Sequence, residues 1–162
     1  MRELHLADPD HTDLLGRCLA RTRPAQALVE LQGDLGAGKS TTARALLRAL
    51  GVTGPVRSPT YTLVERYPLE DGSEAWHLDL YRIGAAGELD FLGLDEGSAS
   101  LWLVEWPERG AGALPPSDLR VELAIEGSGR HARIICLSGE GERWLERLGG
   151  EPELHPLFVD RP

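Results

Sequence analysis

Lysine is nearly missing from this chain: one lysine stands among 162 residues, and the other sixteen of the seventeen basic residues are arginine. No basic run occurs anywhere, and 26 acidic against 17 basic residues leave a net charge of −9. A surface that grips a nucleic-acid backbone by itself needs the opposite sign, so no strong autonomous nucleic-acid binding is expected. Cysteine is almost as scarce. Cys18 and Cys136 lie in apolar periodic segments and form no C-x-x-C, which reads as two buried thiols rather than a disulfide or a metal site. No apolar run has membrane length and no signal-peptide pattern opens the chain, so a soluble, cytoplasmic protein with no membrane partner is expected. Internal repeats and low-complexity segments are missing too. The length fits one domain, placed at residues 1–149, with residues 150–162 as a C-terminal tail expected to be loose.

The single lysine is placed where its exchange would be chemically expensive. Lys39 sits in GDLGAGKS, Gly33 to Ser40, which fits the phosphate-loop pattern G-x-x-x-x-G-K-[ST]. A compact ammonium on a flexible stem can lie along such a loop and reach β- and γ-phosphate oxygens; a planar guanidinium is too wide. The flanks fit as well. Ala27 to Leu31 is a short strand-like run before the first glycine, and Thr41 to Leu50 is a helical pattern stopped by Gly51. Glycines 33, 36 and 38 let backbone N–H groups converge on phosphate, and the helix N-terminus adds its dipole. The alternative is a plain glycine-rich turn. On the phosphate reading the nucleotide contacts are Gly33, Asp34, Leu35, Gly36, Ala37, Gly38, Lys39, Ser40 and Thr41.

Elsewhere the pattern alternates strands with helices early and hairpins late. Arg2 to Leu6 reads as an edge strand, and Asp8 or Asp10 caps a helix reaching Arg21 with Leu14, Leu15, Cys18 and Leu19 on one face. Gly51 to Thr60 reads as a loop, followed by a hairpin of Tyr61 to Tyr67 and Ala75 to Tyr81. Glu88 to Leu94 reads as a short helix, Leu101 to Trp106 as a buried strand ended by Pro107, and Leu119 to Ile125 with His131 to Leu137 as a second hairpin. A last short helix spans Glu140 to Leu148. The expected fold is α/β: a phosphate-loop NTPase-like three-layer sandwich with a mixed parallel and antiparallel sheet.

A phosphate loop needs a magnesium partner, and Ser40 supplies the first hydroxyl. Glu105 ends the apolar run LWLVE and Asp79 lies in HLDLYR, so each would place a carboxylate at a strand end, where it must meet a cation or hydrogen-bond donors. Either acid could instead pair with an arginine, Arg82 or Arg57. Ser58-Pro59-Thr60 follows the loop helix, where NTPases place a segment that senses γ-phosphate and metal; an ordinary Ser/Pro turn is the alternative. Trp106, next to Glu105, could stack near the nucleotide or pack in the core. The five histidines, His5, His11, His77, His131 and His155, show no ligand spacing and read as surface or satisfied core residues. The lone lysine also excludes the N-K-x-D motif that Ras-like proteins use to read guanine, so ATP is favoured. Dispersed arginines weaken a small-molecule kinase reading.

Five segments in register then resemble one family: GDLGAGKST at 33–41, SPTYTLVE at 58–65, HLDLYR at 77–82, ELDFLGLDE at 88–96 and LVEWPERG at 103–110 are similar to TsaE, also called YjeE. The resemblance runs over about residues 1–140. It implies a small, weak bacterial ATPase that serves threonylcarbamoyladenosine formation on tRNA, binds the TsaD–TsaB heterodimer and is stimulated there. It implies ATP and Mg2+ as cofactors, Lys39 as the phosphate lysine, and Ser40 and Glu105 as metal ligands. Asp79 and Thr60 become site residues needed for turnover, with Ser58 in the switch and Trp106 beside the acid. Many members carry threonine at the position of Ser40; both present a hydroxyl. Thr12 and Arg130 are expected near the adenine. A nucleotide-gated assembly module without essential hydrolysis stays open beside the enzyme.

Overall fold

The computed structural model of the chain describes residues 1–94 and 99–159. Seven strands form one sheet: β1 (Arg2–Leu6), β2 (Ala27–Gly33), β3 (Val64–Pro68), β4 (Glu74–Asp79), β5 (Ala99–Glu105), β6 (Leu119–Glu126) and β7 (Gly129–Cys136). Their order across the sheet is β1-β7-β6-β2-β5-β4-β3. The four central strands β6, β2, β5 and β4 run parallel, and β3, β7 and β1 join through antiparallel pairings. The mixed sheet of the α/β phosphate-loop class is therefore present, and its open switch is at the carboxyl ends of the parallel strands, where such folds bind ligands.

Strand alternation sorts the core into two clusters. Ala27, Val29 and Leu31 of β2, with Leu101 and Leu103 of β5, face α1 (Pro9–Thr22), α2 (Lys39–Ala49) and α3 (Gly139–Gly149). Leu28, Trp76, Leu78 and Val104 face the other way, under 3-10 segments and loops that supply Ile83, Leu89 and Leu114. The third layer is thus thinner than the helical one. Helix α1 starts where Asp8 accepts the His11 N–H, and α3 starts where Ser138 accepts the Gly141 N–H. Gly16 lets α1 and α2 approach closely: a Cβ there would lie 2.5 Å from the Ala45 Cβ. That contact seats α2, and with it the end of the glycine loop, against α1. The outer face of β1, β7 and β6 carries charges instead of a helix, including Glu3 with His131 and Arg133, Arg133 with Glu122, and His5 with Glu126.

Four expectations need correction. Strand β3 begins at Val64, not Tyr61, because the Leu63 N–H closes a turn onto the Pro59 carbonyl at 2.8 Å and Leu63 takes φ +67°. Turn chemistry overrides the β-branched pattern there. Strand β4 stops at Asp79, two residues before Tyr81, where the Asp79 carboxylate accepts the Tyr81 N–H. The short helix expected at Glu88 to Leu94 is a 3-10 segment at Ala86–Leu92, with Asp95 and Glu96 of its motif outside the described residues. Finally, the tail is docked as far as it is described. A 3-10 segment, Pro152–Leu157, buries Leu154 and Leu157 in the main core, and the Val159 N–H donates to the Glu3 carbonyl. Spaced leucines after Pro152 give this segment an apolar face that β1 and α1 cover. Among the described residues no helix is long and apolar enough to cross a membrane.

Candidate functional site

The glycine loop leaves the carboxyl end of β2 in the middle of the parallel strands. Gly33, Gly36 and Gly38 have φ of +153°, +82° and +109°, a sequence of conformations that side chains resist. At Gly33 a Cβ would also lie 2.5 Å from the Leu123 carbonyl oxygen of β6. The Asp34 carbonyl accepts the Ala37 N–H and closes the turn, and Ala37 is buried beneath it. Helix α2 then begins with no side-chain cap and no acid in its first turn. Both other α-helices have a capping side chain and acids there. The first-turn N–H groups of α2 and the positive end of its dipole therefore point, unspent, at the surface. An anion is the chemical complement of such a terminus.

Two acids stand across from it. In the parallel ladder Asp79 is directly opposite Glu105, at the carboxyl ends of β4 and β5, and Glu105 is opposite Leu31 of β2. The Glu105 carboxylate is divided: Oε1 lies 3.8 Å from Lys39 Nζ and Oε2 accepts from His77 Nε2 at 3.0 Å. Lys39 Nζ also donates to the Gly33 carbonyl at 2.5 Å. Asp79 accepts the Tyr81 N–H through Oδ1 at 3.0 Å and the Thr60 hydroxyl through Oδ2 at 3.4 Å. Thr60 in turn shares a hydrogen bond with Ser58 at 2.7 Å, and the Asp79 N–H donates to the Leu63 carbonyl. The segment at 58–63 is thereby tied to the end of β4. Among the described residues neither acid pairs with an arginine; Arg82 lies over the Tyr61 ring instead.

These groups open into one cleft of about 680 Å³. Its floor is the loop and α2 start, with Gly36, Gly38, Lys39, Ser40 and Thr41; Ser58, Thr60, Asp79, Glu105 and Trp106 form one wall, and Thr12 with Arg130 the other. Arg130 donates to the Gly36 carbonyl at 3.0 Å and so braces the loop. Trp106 takes φ +57°, a left-handed conformation that is strained for a bulky residue. Its ring is partly exposed, with Lys39 Nζ 5.8 Å and the Tyr81 ring 5.0 Å from its centre, and Arg109 lies over both aromatics. The turn at Trp106 aims the indole at the cleft, not into the core.

The structure gathers most of the expected site residues. Gly33, Asp34 and Ala37 shape the loop without lining the cleft. Sequence reasoning missed His77, Tyr81 and Arg109. For His77 a signal was available: it is two residues before Asp79 on one strand, so both side chains share a face. Tyr81 and Arg109 had none, because both follow strand ends whose backbone direction only the fold sets. The metal-binding potential is modest and oxygen-rich. Ser40, Thr60, Asp79 and Glu105 offer hydroxyls and carboxylates, the ligands of a hard cation. Among the described residues no three His, Cys, Asp or Glu side chains group to hold an ion by themselves. Magnesium takes one or two carboxylates and completes its shell with water and phosphate oxygens, and Ser40, Asp79 and Glu105 are the donors here that it could use.

Residues 6–135 match the model of the family described as TsaE, threonylcarbamoyl adenosine biosynthesis protein. The chain belongs to the TsaE family. The tRNA threonylcarbamoyladenosine biosynthesis protein TsaE of Haemophilus influenzae is 41% identical over 117 residues, which cover 71% of this chain and 73% of that protein. The protein of that name in Streptomyces coelicolor is 41% identical over 135 residues, 80% of this chain and 91% of its own length. Among solved structures, YdiB of Bacillus subtilis superposes with a TM-score of 0.74 at 26% identity, over 91% of this chain and 93% of the other. The family match spans the glycine loop, both acids and the Ser58 to Thr60 segment. It ends before α3 and the docked tail.

Proposed function

We propose that this chain is the ATP-binding and ATP-hydrolysing subunit of the machinery that makes threonylcarbamoyladenosine on tRNA, acting on a TsaD–TsaB complex in the cytoplasm. One observation carries the chemical part: an uncapped helix start on a glycine cradle, holding the only lysine, opposite two buried strand-end carboxylates. The family membership supports the biological part.

In this reading the amides of the loop and Lys39 bind the triphosphate and bear the charge that develops on the transferred phosphoryl group. Ser40 and Glu105 would hold a magnesium ion, which would supply positive charge against the phosphate oxygens. Asp79, held by the Tyr81 N–H and the Thr60 hydroxyl, orients the attacking water, and Thr60 joins Ser58 in a segment that responds to the γ-phosphate. Thr12 and Arg130 close the far wall, where the nucleoside would lie. The net charge of −9 suits a protein that docks on a tRNA-binding complex without gripping RNA itself.

A second reading is favoured by the apolar side chains exposed in the same segments. Leu35 at the loop tip is 98% exposed and Tyr61 of the switch is 84% exposed. Such residues suit a nucleotide-gated assembly module in which binding matters and hydrolysis is incidental. Release of phosphate from ATP, measured with and without TsaD–TsaB, tests the enzyme reading. Turnover in the Lys39→Ala variant equal to wild type would sink the site assignment. A Glu105→Ala variant that supports tRNA modification with no hydrolysis would replace the enzyme reading with the module. Labelled phosphate passing from ATP to a metabolite would instead mark a kinase.

A further inference from the structure

We propose that His77 is a positioning residue for Glu105: it fixes the carboxylate that is to hold magnesium and has no contact with nucleotide of its own. The inference rests on the magnesium–ATP reading of the cleft.

The strand ladder places the pair. Asp79 is opposite Glu105 and His77 is opposite Leu103, so His77 lies one pleat behind Glu105 on the same face of the sheet. The imidazole is 2% exposed and the Glu105 side chain 6% exposed. His77 Nε2 stands 3.0 Å from Glu105 Oε2, while Oε1 is turned to Lys39 and the cleft. A carboxylate oxygen accepts and does not donate, so the shared proton is on Nε2. One oxygen is therefore tethered from within the sheet, and the other is left for the cleft side.

The other ring nitrogen decides against a merely structural histidine. Nδ1 is buried with no hydrogen-bond partner among the described residues. A core that wanted only volume at this position would be better served by an apolar residue, since a buried polar atom without a partner is unfavourable. Among the described residues the single polar engagement of this ring is Glu105. Histidine does here toward a carboxylate ligand what outer partners commonly do around metals: it fixes the direction of the ligand that touches the ion. His77 also lines no part of the cleft, and the cleft residue to which it hydrogen-bonds is Glu105.

The experiment is a magnesium titration of the affinity for a fluorescent ATP analogue, set beside the affinity of the same analogue in EDTA. His77→Leu removes the donor. His77→Gln keeps one, because its amide Nε2 reaches the point that the imidazole Nε2 occupies. In His77→Leu the magnesium concentration for half-saturation is expected to rise by on the order of 10-fold, with the affinity in EDTA unchanged. His77→Gln is expected to recover most of that loss. In the Glu105→Ala background, His77→Leu is expected to add nothing. If wild-type affinity ignores magnesium, the metal reading of the cleft falls and takes this inference with it. If wild type responds and His77→Leu responds equally, the inference alone is overturned. Equal losses with and without magnesium also overturn it, since they indicate a general collapse of the site. Should His77→Leu fail to fold, His77→Asn replaces it: its amide stops short of Glu105 and must give the same rise, and a wild-type midpoint in that variant refutes the proposal.

Discussion

The Lys39–Glu105 pair can be tested before any nucleotide is added. At 3.8 Å, with an effective dielectric constant near 20, the gross Coulomb attraction is about 4 kcal/mol. Desolvation of both groups offsets much of it, and His77 still supports Glu105 when the lysine is gone. A coupling of about 1–2 kcal/mol is what remains for a double-mutant cycle to read. The variants are Lys39→Ala, Glu105→Gln and the two together, each unfolded in urea beside wild type. Lys39→Ala is expected to lower stability by about 1–3 kcal/mol, because it leaves a carboxylate buried without its cation. Glu105→Gln in that background should cost little more. The side chains are 12% and 6% exposed, so added salt should change the coupling only slightly. Single-variant losses that simply add, or a coupling that salt abolishes, would refute this geometry. Lys39→Ala should also weaken ATP binding by about 10- to 100-fold, the size of a lost charge-assisted hydrogen bond. Lys39→Arg should not restore it, since the planar fork does not fit between Gly33 and Glu105.

Four further outcomes are expected. Trp76 and Trp144 are fully buried and Trp102 packs on Trp76, so ATP should perturb chiefly Trp106 emission, and Trp106→Phe should remove most of the fluorescence change. Leu154→Ala should cost about 2–4 kcal/mol by chemical denaturation, because this fully buried side chain ties the C-terminal segment to the core; a loss under about 0.5 kcal/mol would mean that the segment is loose. Burial, assisted by Glu151 and Glu153 and opposed by Arg21, raises the Cys18 thiol from 9.0 to about 11. The folded state thus favours the neutral thiol: this stability is intact below pH 9 and is lost as pH rises towards 11, so Cys18→Ala should flatten the decline in Tm over that window. Native alkylation should label half-buried Cys136 well before Cys18.

Much of the site was legible in the sequence because its parts are local. The strand, glycine loop and helix around Lys39 are contiguous, and the glycines mark backbone conformations that other residues avoid. Glu105 and Asp79 were visible as acids at the ends of apolar runs, where burial demands a partner. Their identity as ladder neighbours was not visible, since β4 and β5 pair in parallel across a long connection. His77 looked like one histidine among five, because a carboxylate 28 residues away gives it its meaning. The left-handed turns at Leu63 and Trp106 run against the preference of their own side chains, so composition argued for strand at Tyr61 and left the direction of Trp106 open. The tail looked loose for a related reason: its leucines find their core in β1 and α1, at the other end of the chain.

Where a nucleotide sits decides whether this cleft is the site. A crystal structure with magnesium and a non-hydrolysable ATP analogue should show the triphosphate on the amides of residues 36–41 beside Lys39. The ion should touch Ser40 and Glu105, and the nucleoside should lie between Thr12 and Arg130. A nucleotide bound away from this cleft, or a triphosphate in it that contacts neither Lys39 nor the start of α2, would contradict the account.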